Sequence, residues 1–75
     1  MKKDSNDYSK DFGAFIQEKR LWRNITQEEA ATALGITQAF YSMIECGKRK
    51  IDFELAIRIC KYLELDIADF MKKYI

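Results

Sequence analysis

A short helix caught between two glycines narrows the folds open to this chain. In ALGITQAFYSMIECGK, residues 33–48, a helix-forming stretch breaks at Leu34-Gly35-Ile36, restarts at Thr37 and stops again at Cys46-Gly47. The restarted piece is only about eight residues long, whereas isolated helices under roughly 12–15 residues are marginal in water. Tertiary contacts must therefore hold it. Tyr41 and Ile44, three positions apart, fall on one side and can anchor it to a core. Gln38, Ala39, Ser42 and Met43 then lie on the opposite side, free of packing duty.

Composition agrees with a small folded domain. The 75 residues make one domain at most, and a chain near this size buries only about 60% of its unfolded surface, so the core is thin. Hydrophobic residues are 48% and aromatics 13% of the chain, too apolar for a disordered one. No run approaches the roughly 18 apolar residues of a membrane span. MKKDSNDYSK has no apolar stretch behind its lysines, so no secretion signal is expected either. These signs point to a cytoplasmic protein with no membrane partner. The formal charge is only +1, but its distribution is uneven: residues 24–47 hold no Lys or Arg and three Glu, and then Lys48, Arg49 and Lys50 come together.

Two cysteines do not make a disulfide framework. Cys60 sits in an apolar helical run and reads as core; Cys46 ends the short helix, where the negative helix end disfavours a thiolate. With no histidine, a typical zinc site and a His-based catalytic dyad are excluded. No nucleophile–base or metal constellation is present, so neither a cofactor nor an enzymatic activity is expected.

The punctuation predicts five helices. Residues 1–9 are polar and charged and read as a flexible arm, with the domain proper over 10–75. A first helix is expected over about 11–23, where Phe12, Phe15, Ile16, Lys19, Arg20 and Arg23 share a side that begins apolar and turns basic. Asn24 suits the left-handed position that closes a helix. Thr26-Gln27-Glu28-Glu29 is a capping box opening the second helix, which ends near Leu34, where Gly35 can supply a positive φ. Thr37 caps the third and Gly47 closes it. Asp52 caps a fourth over 53 to about 63, apolar at nearly every turn. Asp66 caps a fifth, with Ile67, Phe70, Met71, Tyr74 and Ile75 in helical register. The fold class is all-α, a compact five-helix bundle.

Two helices joined by a tight glycine turn form a helix-turn-helix unit. Eight residues of helix span roughly 12 Å, comparable with the ~12 Å width of the B-DNA major groove. The third helix is short because it must fit a groove. From about Phe12 to Phe70 the sequence resembles the Cro/C1-type phage-repressor helix-turn-helix domain, the xenobiotic-response-element class. The resemblance rests on Arg20, on ITQEEAATALGITQAFYSMIECGKR, on the apolar fourth helix and on LDIADF. It implies the phage-repressor type of bundle, with helices 2 and 3 as the helix-turn-helix. It also implies a homodimer that reads a short, roughly palindromic operator in double-stranded DNA as a transcriptional regulator, a repressor first of all. No small-molecule ligand is indicated.

By the same resemblance, base contacts fall to Gln38, Ala39, Ser42 and Met43. Gln can pair bidentately with adenine N6 and N7, and an Ala methyl can sit against a thymine methyl; Met43 either packs likewise or merely fills space. Phosphate contacts fall to Thr26, Gln27, Thr37, Lys48, Arg49 and Lys50. A helix N-terminus favours an anion at Gln27 independently of the family. Arg20 and Glu45 correspond to the family's ion pair between the first and third helices.

The sequence also departs from the family. Ala30 and Ala56 stand where larger aliphatics are usual, Glu64 where a helix-closing glycine is common, and Ile51 where proline is common. Trp22, Phe40, Phe53 and Tyr62 are expected to repack the vacated space. For Phe40 three roles stay open: core filler, a wedge beside the sugar-phosphate backbone, or a partner contact. Ile57, Met71, Tyr74 and Ile75 form a candidate dimer surface, or else cover the thin core of their own subunit. The rival functional reading is an antitoxin-like or other interaction module that uses the same fold mainly to bind a partner protein.

Overall fold

The computed structural model describes residues 8–72. Five helices follow one another: α1 Ser9–Trp22, α2 Gln27–Leu34, α3 Gln38–Glu45, α4 Phe53–Leu63 and α5 Ile67–Met71. No strand occurs among the described residues, so the all-α reading holds. Helix α1 begins at Ser9 rather than near Asp11, and its N-cap, Tyr8, makes no side-chain cap bond. Ser9, expected as the last residue of an arm over 1–9, is thus helical; the rest of that expectation, residues 1–7, lies outside the described residues, as do Tyr74 and Ile75.

Local chemistry accounts for the other boundaries. The Thr26 hydroxyl accepts from the Glu29 amide at 3.0 Å, and the Glu29 carboxylate accepts from the Thr26 amide at 2.9 Å, completing the capping box. Thr37, Asp52 and Asp66 cap α3, α4 and α5 by accepting from the amides of Phe40, Leu55 and Ala68. Helices α1 to α4 close alike. A residue with positive φ (Asn24, Gly35, Gly47, Glu64) is followed by an amide that bonds back to the carbonyl five residues earlier. At Glu64 a residue with a Cβ adopts this left-handed conformation, held by a 2.7 Å bond from the Leu65 amide to the Cys60 carbonyl.

Helix α3 packs against α1 and α2, and α4 lies across both. Tyr41 and Ile44 of α3 meet Ile16 of α1 and Ile59 and Leu63 of α4 at the fully buried centre, flanked by Ala30, Ala31 and Leu34 of α2. Phe12, Phe15 and Phe70 close one end, with the Phe12 and Phe70 rings edge to face at 5.4 Å. Arg58 Nη2 donates to the Leu34 carbonyl at 2.7 Å and ties α4 to the end of α2. Cys60 is buried, and that burial pushes its thiol pKa up, so it is an unreactive core residue.

The expected repacking is only half right. Phe40 and Tyr62 do pack against the core, but Trp22 is 78% and Phe53 74% exposed, so neither fills space beside Ala30 or Ala56. Trp22 lies two residues past Arg20, about 200° further round the helix and away from the buried stripe. Its ring instead carries the Lys19 ammonium at 5.5 Å. Phe53 is the first residue of α4 and projects past the core edge.

Candidate nucleic-acid interface

The inner side of α3 is fixed by directed polar bonds as well as by apolar packing. Arg20 Nε donates to Glu45 Oε2 at 2.6 Å and Nη2 to Oε1 at 3.0 Å, a two-point pair. Arg20 Nη1 donates to the Ile25 carbonyl at 2.7 Å, and Gln27 Nε2 donates to Glu45 Oε1 at 3.0 Å. The end of α1, the loop after it, the first residue of α2 and the last of α3 therefore converge on one carboxylate. Both charged residues are 6% exposed. Burial opposes ionisation of Glu45, but the bonds from Arg20 and Gln27 outweigh it and hold the carboxyl below its ordinary range. The same bond to Glu45, against the opposing effect of burial, raises the Arg20 pKa. The Tyr41 hydroxyl is buried beside the pair without a well-formed hydrogen bond, and burial, with Glu45 adjacent, pushes its pKa up.

Gly13 completes this junction. A Cβ at that position would lie 2.6 Å from the Ile44 carbonyl oxygen and collide with the Glu45 carbonyl, so α1 reaches α3 only because residue 13 is glycine. A glycine inside a helical run reads from sequence as a mild destabiliser, and nothing local signals its packing role. The Gln27 contact to Glu45, 18 residues away, likewise has no local signal in the sequence.

On the outer side Gln38 and Ala39 are exposed and Ser42 and Met43 half-buried, all four on the surface opposite Tyr41 and Ile44. Glu45 is buried and paired, so this surface carries no charge. The first turn of α3 contains no acid, whereas that of α2 contains Glu28 and Glu29. The positive end of α3 is therefore the better anion site of the two. Thr26 and Thr37 are exposed; each hydroxyl accepts its cap bond and keeps its proton to donate. Gln27 is half-buried and turned toward Glu45, with a second amide proton left to give. Lys48, Arg49 and Lys50 are exposed just beyond α3, and the Arg49 guanidinium lies over the Phe40 ring at 4.7 Å.

A capped, glycine-turned pair of helices with an uncharged outer face and a basic loop is the arrangement of a DNA-binding helix-turn-helix. A family model described as helix-turn-helix matches residues 16–70. The chain belongs to the Cro/C1-type helix-turn-helix family. It is 36% identical over 58 residues to the uncharacterized HTH-type transcriptional regulator YqaF of Bacillus subtilis (strain 168), covering 77% of this chain and 76% of that protein. Its fold matches the crystal structure of the clp gene regulator ClgR from C. glutamicum with a TM-score of 0.82 at 24% identity, over 93% of this chain and 90% of that one. The Cro/C1-type family is one of DNA-binding transcription regulators, not an enzyme class.

Of the residues expected at a dimer surface, Tyr74 and Ile75 lie outside the described residues. Met71, 44% exposed, borders a recess of about 550 Å³ together with Phe12, Phe53, Ala56 and Phe70. Ile57 is half-buried on α4 and does not line it. Among the described residues no helix is long and apolar enough to cross a membrane.

Proposed function

We propose that this protein is a sequence-specific, cytoplasmic transcriptional regulator, acting as a repressor, that inserts α3 amino end first into the DNA major groove. The observation that carries the reading is the two-sidedness of α3: Tyr41, Ile44 and Glu45 are buried, while the opposite surface is open and uncharged. In this reading Gln38 pairs with an adenine edge, Ala39 and Met43 pack on thymine methyls, and Ser42 bonds an adjacent base edge. Thr26, Gln27, Thr37, Lys48, Arg49 and Lys50 hold phosphates on either side and set the register. One such module buries only about 600–1,000 Å² on DNA. Two copies on half-sites about 34 Å apart supply the remaining affinity, and a homodimer on a palindromic operator follows. Its contact surface is assigned to Ile57, Met71, Tyr74 and Ile75.

Selection of bound duplexes from a random pool tests this reading. With the selected site, Gln38→Ala should lose about 1–3 kcal/mol of discrimination at one base pair. Lys48→Ala should weaken every sequence alike and lower the salt slope by about 1. Wild-type behaviour in both variants contradicts it. The exposed Phe53 and Met71 at the recess favour the rival reading, a partner-binding module, whose mark is a stable heterocomplex without DNA affinity.

A further inference from the structure

The three cations after α3 are not equivalent. Lys48, Arg49 and Lys50 are all exposed, but among the described residues Arg49 is the one of the three seated on an aromatic face, 4.7 Å from the Phe40 ring centre. Phe40 is half-buried and packs against the core, so the ring is a fixed platform. It sits at the border of the reading surface, three residues before Met43. Arg49 accordingly shares one shallow apolar surface with Ile36, Thr37, Ala39, Phe40 and Met43, which neither Lys48 nor Lys50 lines. A guanidinium is suited to this position: it is planar, weakly hydrated and stacks flat on rings, whereas a lysine ammonium is a strongly hydrated point charge with no face to stack. Helix α3 contains no Lys or Arg, so the stacked Arg49 supplies the positive charge at this edge of its outer face.

We propose that Phe40 is a positioning residue for Arg49. Its ring holds the guanidinium against the wall of α3, so that the phosphate nearest the bases read by Ala39 and Met43 meets a preorganised clamp. The inference rests on the DNA-reading function proposed above and assigns Phe40 a role through Arg49. In the free protein the stack removes rotamer freedom that a loose arginine would otherwise lose on binding, and preorganisation of this kind raises affinity.

A double-mutant cycle on the wild-type protein's own selected duplex tests it, with a salt titration for each variant. Phe40→Leu and Arg49→Ala should each lose about three- to tenfold in affinity, the range of a ring–cation contact. The double variant should lose no more than the larger single loss. Phe40→Tyr, which keeps the ring, should bind like wild type. Arg49→Lys, which leaves the core untouched, should lose affinity like Phe40→Leu while keeping the wild-type salt slope, whereas Arg49→Ala should lower the slope by about 1. Losses that multiply in the double variant, wild-type affinity in Phe40→Leu or Arg49→Lys, or a Phe40→Tyr variant no better than Phe40→Leu each overturn the proposal. A wild-type chain that selects no duplex overturns this proposal together with the DNA-reading function; a selected duplex with independent losses overturns this one alone.

Discussion

The α1–α2–α3 junction and the α4–α5 end of the same small bundle are finished in opposite ways. At the junction, Arg20, Gln27 and Glu45 interlock through bonds of 2.6–3.0 Å, and a glycine lets two helices touch backbone to backbone. At the other end Phe53 and Met71 stay exposed around an open apolar recess. Apolar packing by Tyr41 and Ile44 is strong but non-directional; it holds α3 down without fixing its rotation. A two-point ion pair at its last residue fixes that rotation, at the cost of desolvating two charges. The chain spends polar specificity where an angle matters and leaves plain hydrophobic surface where it does not.

The largest effect should come from breaking the junction. Glu45→Ala strands the Arg20 charge and should cost about 3–5 kcal/mol by thermal or urea denaturation. Combining Arg20→Met with Glu45→Leu should recover most of that loss; a double variant as unstable as the single would mean that the pair is more than a fold element. The same pair predicts an acid step. The folded pKa of Glu45 is depressed, so its stabilisation is complete above the unfolded value near 4.3 and is lost as pH falls through the folded value. Stability measured against pH should show this step in wild type and not in Glu45→Gln.

Next in size is Gly13→Ala. Helix propensity alone favours alanine by about 1 kcal/mol. The collision with the α3 carbonyls should reverse that sign and destabilise by about 1–3 kcal/mol. A stabilised variant would show that α1 and α3 have room to part. The smallest effect on folding belongs to the other end: Phe53→Ser with Met71→Ser should change stability by no more than about 0.5 kcal/mol per site. If copies pair through this end, sedimentation should show the double variant shifted from dimer to monomer. An unchanged sedimentation coefficient would place the pairing surface elsewhere.

How far the sequence reveals all this depends on the range of the interaction. Thr26, Glu29, Thr37, Asp52 and Asp66 act within three residues of themselves, so their caps and four of the five helix starts can be read directly. Tyr8 makes no side-chain cap bond, and nothing local in the sequence marks the start of α1 at Ser9. Hydrophobic content does not say which apolar residues are surplus, and so it points Trp22 and Phe53 toward a core that excludes them. Of the candidate interface, the open and covered sides of α3 followed from its 3.6-residue period. Gly13, the inward turn of Gln27 and the seat of Arg49 on Phe40 are meetings between distant parts of the chain or across a loop, which no local pattern encodes.

The most direct test of the central claim, that α3 presents its outer side to DNA, is a backbone-amide NMR titration of the protein with its selected duplex. The account predicts the largest shifts at Gln38, Ala39, Ser42 and Met43 and in the loop Lys48–Lys50, with Phe53 and Met71 nearly unmoved at a fixed oligomeric state. Shifts concentrated around Phe53 and Met71, with Gln38 and Ala39 unchanged, would contradict it.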